Sequence, residues 1–181
     1  KKGCPSAICL SVPFARDPKY KTEGENSSAM SICGYAIHEG RYLIGAEPTS
    51  TYRLTETRNN GDSIDFEFEC RLSEEVSLTE KYHVSRKGVD ITLSGHDNVG
   101  FMVPVFEFDG YNTTTISLDK NSIRVEYGDS RCIYSFPGEL SNEYKHYYNR
   151  NGRYRVYAIS GNNLHIEIEK ISGETLFLQD A

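Results

Sequence analysis

The hydrophobic and polar positions of this chain alternate with a period of two over most of its length, and the clearest case is 64–72. There Ile64, Phe66, Phe68, Cys70 and Leu72 interleave with Asp65, Glu67, Glu69 and Arg71. Such alternation predicts a strand with one face on a core and the other in water. Asn59–Asn60–Gly61 precedes it, and Asn-Gly between two alternating runs predicts a hairpin, because both residues tolerate positive φ. Ser50–Thr57 supplies the partner strand.

The densest apolar run is Val99–Phe108, VGFMVPVFEF. It reads as a central strand buried on both faces, the middle of an antiparallel system built outward from 99–127. Pro104 has no N–H to give a ladder and predicts a bulge or a change of sheet there. Further strands are expected at Ser6–Val12, Met30–Ile37, Tyr42–Ala46, Val76–Ser85, Val89–Leu93, Thr113–Leu118, Ile123–Tyr127 and Arg131–Phe136. Arg153–Ser160 and Leu164–Ile171 are read as a final hairpin about Gly161–Asn162–Asn163, and Thr175–Leu178 as a last short strand.

About a dozen strands with a turn signal every 8–12 residues, and no useful helical period, predict an all-β antiparallel sandwich. Two segments stand outside the pattern. Phe14–Ser28 is polar and rich in turn formers, a loop long enough to suggest function. Glu139–Gly152 is polar, aromatic and basic without periodicity, and is read as a loop, with little weight on a helix near Leu140–Tyr147.

At 181 residues the chain is expected to be one domain, 1–181, burying roughly 70% of its unfolded surface without help from disulfides. Its start, KKGCPS, has neither an initiator Met nor a signal segment, which suggests a domain from a longer chain. A net charge of -6 argues against a nucleic-acid partner. No apolar run approaches the roughly 20 residues of a membrane span.

Cys4, Cys9, Cys33, Cys70 and Cys132 are an odd number without CxxC spacing. Reduced, buried packing is one reading, with Cys70 on the apolar phase of its strand; Cys4–Cys33 or Cys9–Cys33 bridges are the alternatives. His38, His83, His96, His146 and His165 are scattered without HxH or HExxH spacing, so no metal site is expected. His165 falls on the polar phase with Glu167 and Glu169, a solvated face. Asp97–Asn98, Asp109, Asp119–Asn121 and Asp129 offer oxygens that calcium could use, although Asp and Asn are also the ordinary turn residues. Asn26 and Asn112 begin glycosylation triplets. No GxSxG elbow, Cys–His pair or phosphate-binding glycine loop occurs, and 26 acidic residues single out no catalytic pair.

The most unusual local composition is EYKHYYNRNGRYRVY, Glu143–Tyr157. Aromatic rings can stack on the C–H faces of sugars while Asn, Arg and acids hold hydroxyls. His146, Tyr147, Tyr148, Asn149 and Arg150 are therefore the candidate ligand-binding residues. The alternative is that Tyr144–Asn151 is a docking loop and Tyr154 and Tyr157 are strand residues.

Three stretches, PSAICLSVP (Pro5–Pro13), FMVPVFEFDG (Phe101–Gly110) and NRNGRYRVY (Asn149–Tyr157), together resemble the C-terminal β-sandwich of bacterial (α/α)-toroid polysaccharide-degrading proteins, the heparinase-type lyases and related families. The resemblance implies a secreted or periplasmic accessory domain, with chemistry mainly in a neighbouring catalytic domain of the same chain and glycan contacted from a loop. The alternatives are an autonomous carbohydrate-binding module and a small hydrolase or lyase. An exposed apolar patch would favour the accessory domain, an aromatic platform the binding module, and converging ionisable groups in a cleft the enzyme.

Overall fold

The computed structural model describes residues 32–47, 49–108, 114–149 and 152–171, with the backbone alone at 142–149 and 152. The described residues form thirteen strands and no helix: β1 (Cys33–His38), β2 (Arg41–Ile44), β3 (Thr51–Asn59), β4 (Ser63–Arg71), β5 (Ser77–Ser85), β6 (Gly88–Ser94), β7 (Val99–Phe108), β8 (Thr115–Asp119), β9 (Ser122–Tyr127), β10 (Ser130–Ser135), β11 (Leu140–Asn149), β12 (Gly152–Ser160) and β13 (Asn163–Lys170). They make two antiparallel sheets, one ordered β11-β12-β7-β1-β2 and the other β3-β4-β5-β6-β13-β10-β9-β8. The fold is the expected all-β sandwich. No helix long and apolar enough to cross a membrane occurs among these residues.

The dense apolar run behaves as its composition requires. Strand β7 is the middle strand of the five-stranded sheet and is buried from Val99 through Phe106. Phe101, Val103 and Val105 enter the core between the sheets, whereas Met102 packs on the opposite face with Cys33, Tyr35, Ile44, Val156 and Ala158. The organising stretch does not stay in one sheet, however. After β7 the chain crosses, and β8 and β9 lie at the edge of the other sheet.

Pro104 remains in register opposite Val156. The register shift lies further on, between the partners of Arg153 and Tyr154, where Phe108 and Phe106 flank Glu107. On its other side β7 pairs with β1 only from Val99 to Met102, so among the described strands Pro104 interrupts no ladder there.

Two expectations need correcting. Strands β12 and β13 are consecutive but are not a hairpin: β12 lies between β11 and β7, and β13 between β6 and β10. Tyr157 and Ile159 of β12 meet Leu164 and Ile166 of β13 in the same core, so the two apolar faces oppose each other from different sheets. The segment 139–152 is not a loop or a helix. Most of it is β11, paired with β12 from Leu140 to Asn149. Two register shifts, Leu140/Glu143 and Glu143/Lys145, break its alternation.

Burial along β4 is graded. Cys70 is fully buried, Phe66 and Phe68 are half-buried, and Ile64 near the hairpin tip is exposed. Cys33 is buried as well. Cys4, Cys9, the Ser6–Val12 and Thr175–Leu178 strands, the 14–28 loop, Asn26 and Asn112 lie outside the described residues.

Candidate functional site

The sequence-predicted site falls on the edge strand β11 and its neighbour. His146 stands opposite Arg155, Tyr147 opposite Tyr154, Tyr148 opposite Arg153 and Asn149 opposite Gly152; Arg150 lies outside the described residues. Directly paired residues share a sheet face and successive residues alternate. Positions 146 and 148 therefore belong to the face of Arg153 and Arg155, and positions 147 and 149 to the other. Positions 147 and 148 fall on opposite faces of the sheet.

Beside 146 and 148 stands a charged cluster. Glu107 Oε2 forms an ion pair with Arg153 Nε at 2.7 Å, and Glu107 Oε1 one with Arg155 Nη2 at 2.6 Å. Arg155 Nη1 also donates to the Tyr157 hydroxyl at 3.4 Å. The Glu107 side chain is only 12% exposed, so its two ion pairs fix the arginines in a partly dehydrated setting. The register shift at Glu107 brings this carboxylate to bear on both.

The described residues also frame two grooves. One, about 990 Å³, opens at an end of the sandwich between the β6–β7 connection and the β12–β13 turn. Its floor is Tyr35, Ile37, Leu93 and Val99; its rim is Ser94, His96, Asp97, Asn98, Ser160 and Asn162. The other, about 360 Å³, lies on the outer face of the eight-stranded sheet, where Asp90, His165 and Ser135 occupy one cross-strand row. His165 Nδ1 is 2.7 Å from Asp90 Oδ1. A Cβ at Gly88 would lie 3.1 Å from His165 Cε1. The ring therefore leans over β6, away from Ser135 on β10, and the three do not form a nucleophilic relay. One strand further, His83 Nδ1 sits 2.6 Å from Asp65 Oδ1. That bond, and a second from Asn60, hold the Asp65 carboxyl below the usual carboxylate range.

The one carboxyl buried between the sheets among the described residues lines neither groove. Glu80 of β5 is completely buried between the sheets. Its Oε1 accepts from the Gly34 N–H at 3.0 Å and the Tyr52 hydroxyl at 3.3 Å, and its Oε2 from the Tyr82 hydroxyl at 2.7 Å. Burial pushes the carboxyl up despite these three donors. Burial also raises the Tyr52 phenol, with the Glu80 charge adding to it. The signal for it in the sequence is a charged residue on the apolar phase of a strand: Glu80 lies between Leu78 and Tyr82.

No group of three or more His, Cys, Asp or Glu able to hold a metal ion occurs among the described residues. Comparison of the chain with protein-family models, curated proteins and solved structures finds no match.

Proposed function

We propose that this chain is an accessory β-sandwich of a secreted or periplasmic bacterial carbohydrate-active protein, without catalysis of its own, that contacts glycan along β11 and β12. The observation that carries this reading is the Glu107–Arg153–Arg155 cluster in register with His146 and Tyr148. An aromatic position next to two anchored guanidinium groups suits a sugar ring and its hydroxyls. Positions 147 and 149 of the same strand fall on the other face.

Support for a neighbouring domain comes from the β3–β4 hairpin. Leu54 is 53% exposed and Ile64 37%, beside half-buried Phe66 and Phe68, an apolar shelf suited to packing against another part of a longer chain. The perturbed carboxyl of Glu80 is sealed in the core, remote in role from either groove, which favours a binding over a catalytic domain.

The test is a glycan-array and calorimetric screen of the 181-residue chain beside Tyr147→Ala, Tyr148→Ala and Arg155→Ala. Saccharide binding lost in Tyr148→Ala and Arg155→Ala but kept in Tyr147→Ala supports the reading. Binding that all three folded variants retain, or a folded chain that binds no glycan, overturns the glycan contact.

A further inference from the structure

We propose that the groove at the loop end of the sandwich is a second, separate binding site, and that its ligand is a neutral saccharide. The groove is built by segments far apart in sequence and tied together by backbone hydrogen bonds. The Ile37 N–H donates to Asn98 O at 2.8 Å, which pins the β6–β7 connection to β1. The Gly161 N–H donates to Val99 O at 3.0 Å, and the Leu93 N–H to Asn162 O at 2.8 Å, which pin the β12–β13 turn on the opposite wall. Gly95 makes the corner at φ 106°, where a Cβ would also stand 2.8 Å from Ser77 O. A site fixed this way loses little freedom when it is filled.

The lining selects the ligand class. At about 990 Å³ the groove lies at the upper end of the roughly 300–1,000 Å³ typical of small-ligand sites. Half-buried Ile37 gives the floor its apolar surface for the C–H face of a sugar ring, while Tyr35, Leu93 and Val99 are buried. The rim mixes donors and acceptors: the Ser94 hydroxyl, the Asn98 and Asn162 amides, the Asp97 carboxylate and the His96 imidazole. Paired donor and acceptor groups match vicinal hydroxyls, each of which both gives and takes a hydrogen bond.

His96 is oriented for this work. Its Nδ1 accepts from the Asn98 N–H at 3.2 Å, so the ring's proton resides on Nε2, which is a donor. His38 packs edge-on against it at 5.9 Å between centroids, and His38 Nε2 lies 3.5 Å from Glu75 Oε2. No lysine or arginine occurs among the described lining residues, and Asp97 contributes negative charge. That charge opposes an anionic sugar, whereas a neutral one is not penalised.

The experiment is calorimetry of the 181-residue chain with neutral gluco-, manno- and xylo-oligosaccharides and with an oligouronate, paired with amide chemical-shift mapping. Wild type is compared with His96→Ala, Asp97→Asn, Asn98→Ala and Tyr148→Ala. The expected result is binding of a neutral oligosaccharide with shifts centred on 94–99 and 160–162. Its affinity, read from the shifts at 94–99 and 160–162, should fall about tenfold in His96→Ala and in Asn98→Ala, the loss of one ligand hydrogen bond each. Asp97→Asn should admit the oligouronate more readily than wild type. The inference is overturned if no neutral oligosaccharide binds, if His96→Ala and Asn98→Ala both bind like wild type, or if shifts and affinity follow Tyr148 instead. In that last case the β11–β12 contact stands alone.

Discussion

The Gly34 N–H donates to Glu80 Oε1 across the sandwich at 3.0 Å, joining β1 of one sheet to β5 of the other. Glu80 is the one buried charged residue among those described, and burial raises its carboxyl above the usual value. A raised folded-state value means that the folded chain holds this proton more tightly than the unfolded one. Its contribution to stability is full below the unfolded carboxyl value and is lost as pH rises through the folded value. Thermal unfolding from pH 4 to 9 should therefore show a decline that Glu80→Gln flattens. Parallel curves for the two proteins would sink the assignment.

Gly34 and Gly61 are both required, for different reasons. A Cβ on Gly34 would stand 2.8 Å from Glu80 Oε1 and 3.1 Å from Leu93 Cδ2, so Gly34→Ala overpacks the core and should cost about 1–3 kcal/mol. At Gly61 nothing lies within 4 Å of the added carbon, but φ is 86°. Gly61→Ala should cost about 1–2 kcal/mol from backbone strain alone. Combined with Glu80→Gln, Gly34→Ala should be non-additive and Gly61→Ala additive, which denaturant titration of the double mutants can read.

Glu107→Gln removes the charge that holds both Arg153 and Arg155. With the carboxylate largely shielded from water, the loss should be about 1–3 kcal/mol. The change should also release the two side chains, visible as averaging of their guanidinium resonances. Unaltered stability together with ordered arginines would show that other contacts hold the cluster.

The apolar shelf of β3 and β4 should matter little to the isolated chain. Leu54→Ser is expected to change stability by less than about 0.5 kcal/mol. Leu78→Ala, which empties a fully buried position, should cost about 2–5 kcal/mol. A large loss at Leu54 would mean that the shelf is part of this domain's own core.

On the outer face, His83 and Asn60 hold Asp65 low. His83→Ala should move the Asp65 titration back towards the ordinary carboxylate range, as followed by the side-chain carbonyl resonance. An Asp65 titration that does not move would assign the shift to Asn60.

Strands that bury one face were legible in the sequence because burial imposes a period of two: β4, β5, β6 and β9 follow their apolar positions closely. Strand β7 was legible for the opposite reason, since a strand covered on both faces carries no alternation. Strand β11 was not. It is an edge strand with two bulges, and each bulge shifts the phase before a pattern can build. The pairing of Tyr148 with Arg153, and the split between Tyr147 and Tyr148, follow from that register and could not be counted from spacing. The end groove was hidden for a topological reason. Asp97 and Asn98 look like ordinary turn residues until β12 pairs with β7 and brings Ser160–Asn162 alongside them.

The placement of β12 and β13 bears on how the chain reaches this state. One enters the five-stranded sheet between β11 and β7, and the other the eight-stranded sheet between β6 and β10. Until they arrive, β6 and β10 lack their common neighbour and β7 lacks one of its partners. The late arch is therefore a keystone: Asn163 must find Thr92, some seventy positions back, before the eight-stranded layer closes. Pairings so distant are slow to form because much chain must be ordered before they are rewarded. A nascent chain released short of β12 would carry open strand edges in both layers, the exposure that draws chains into aggregates.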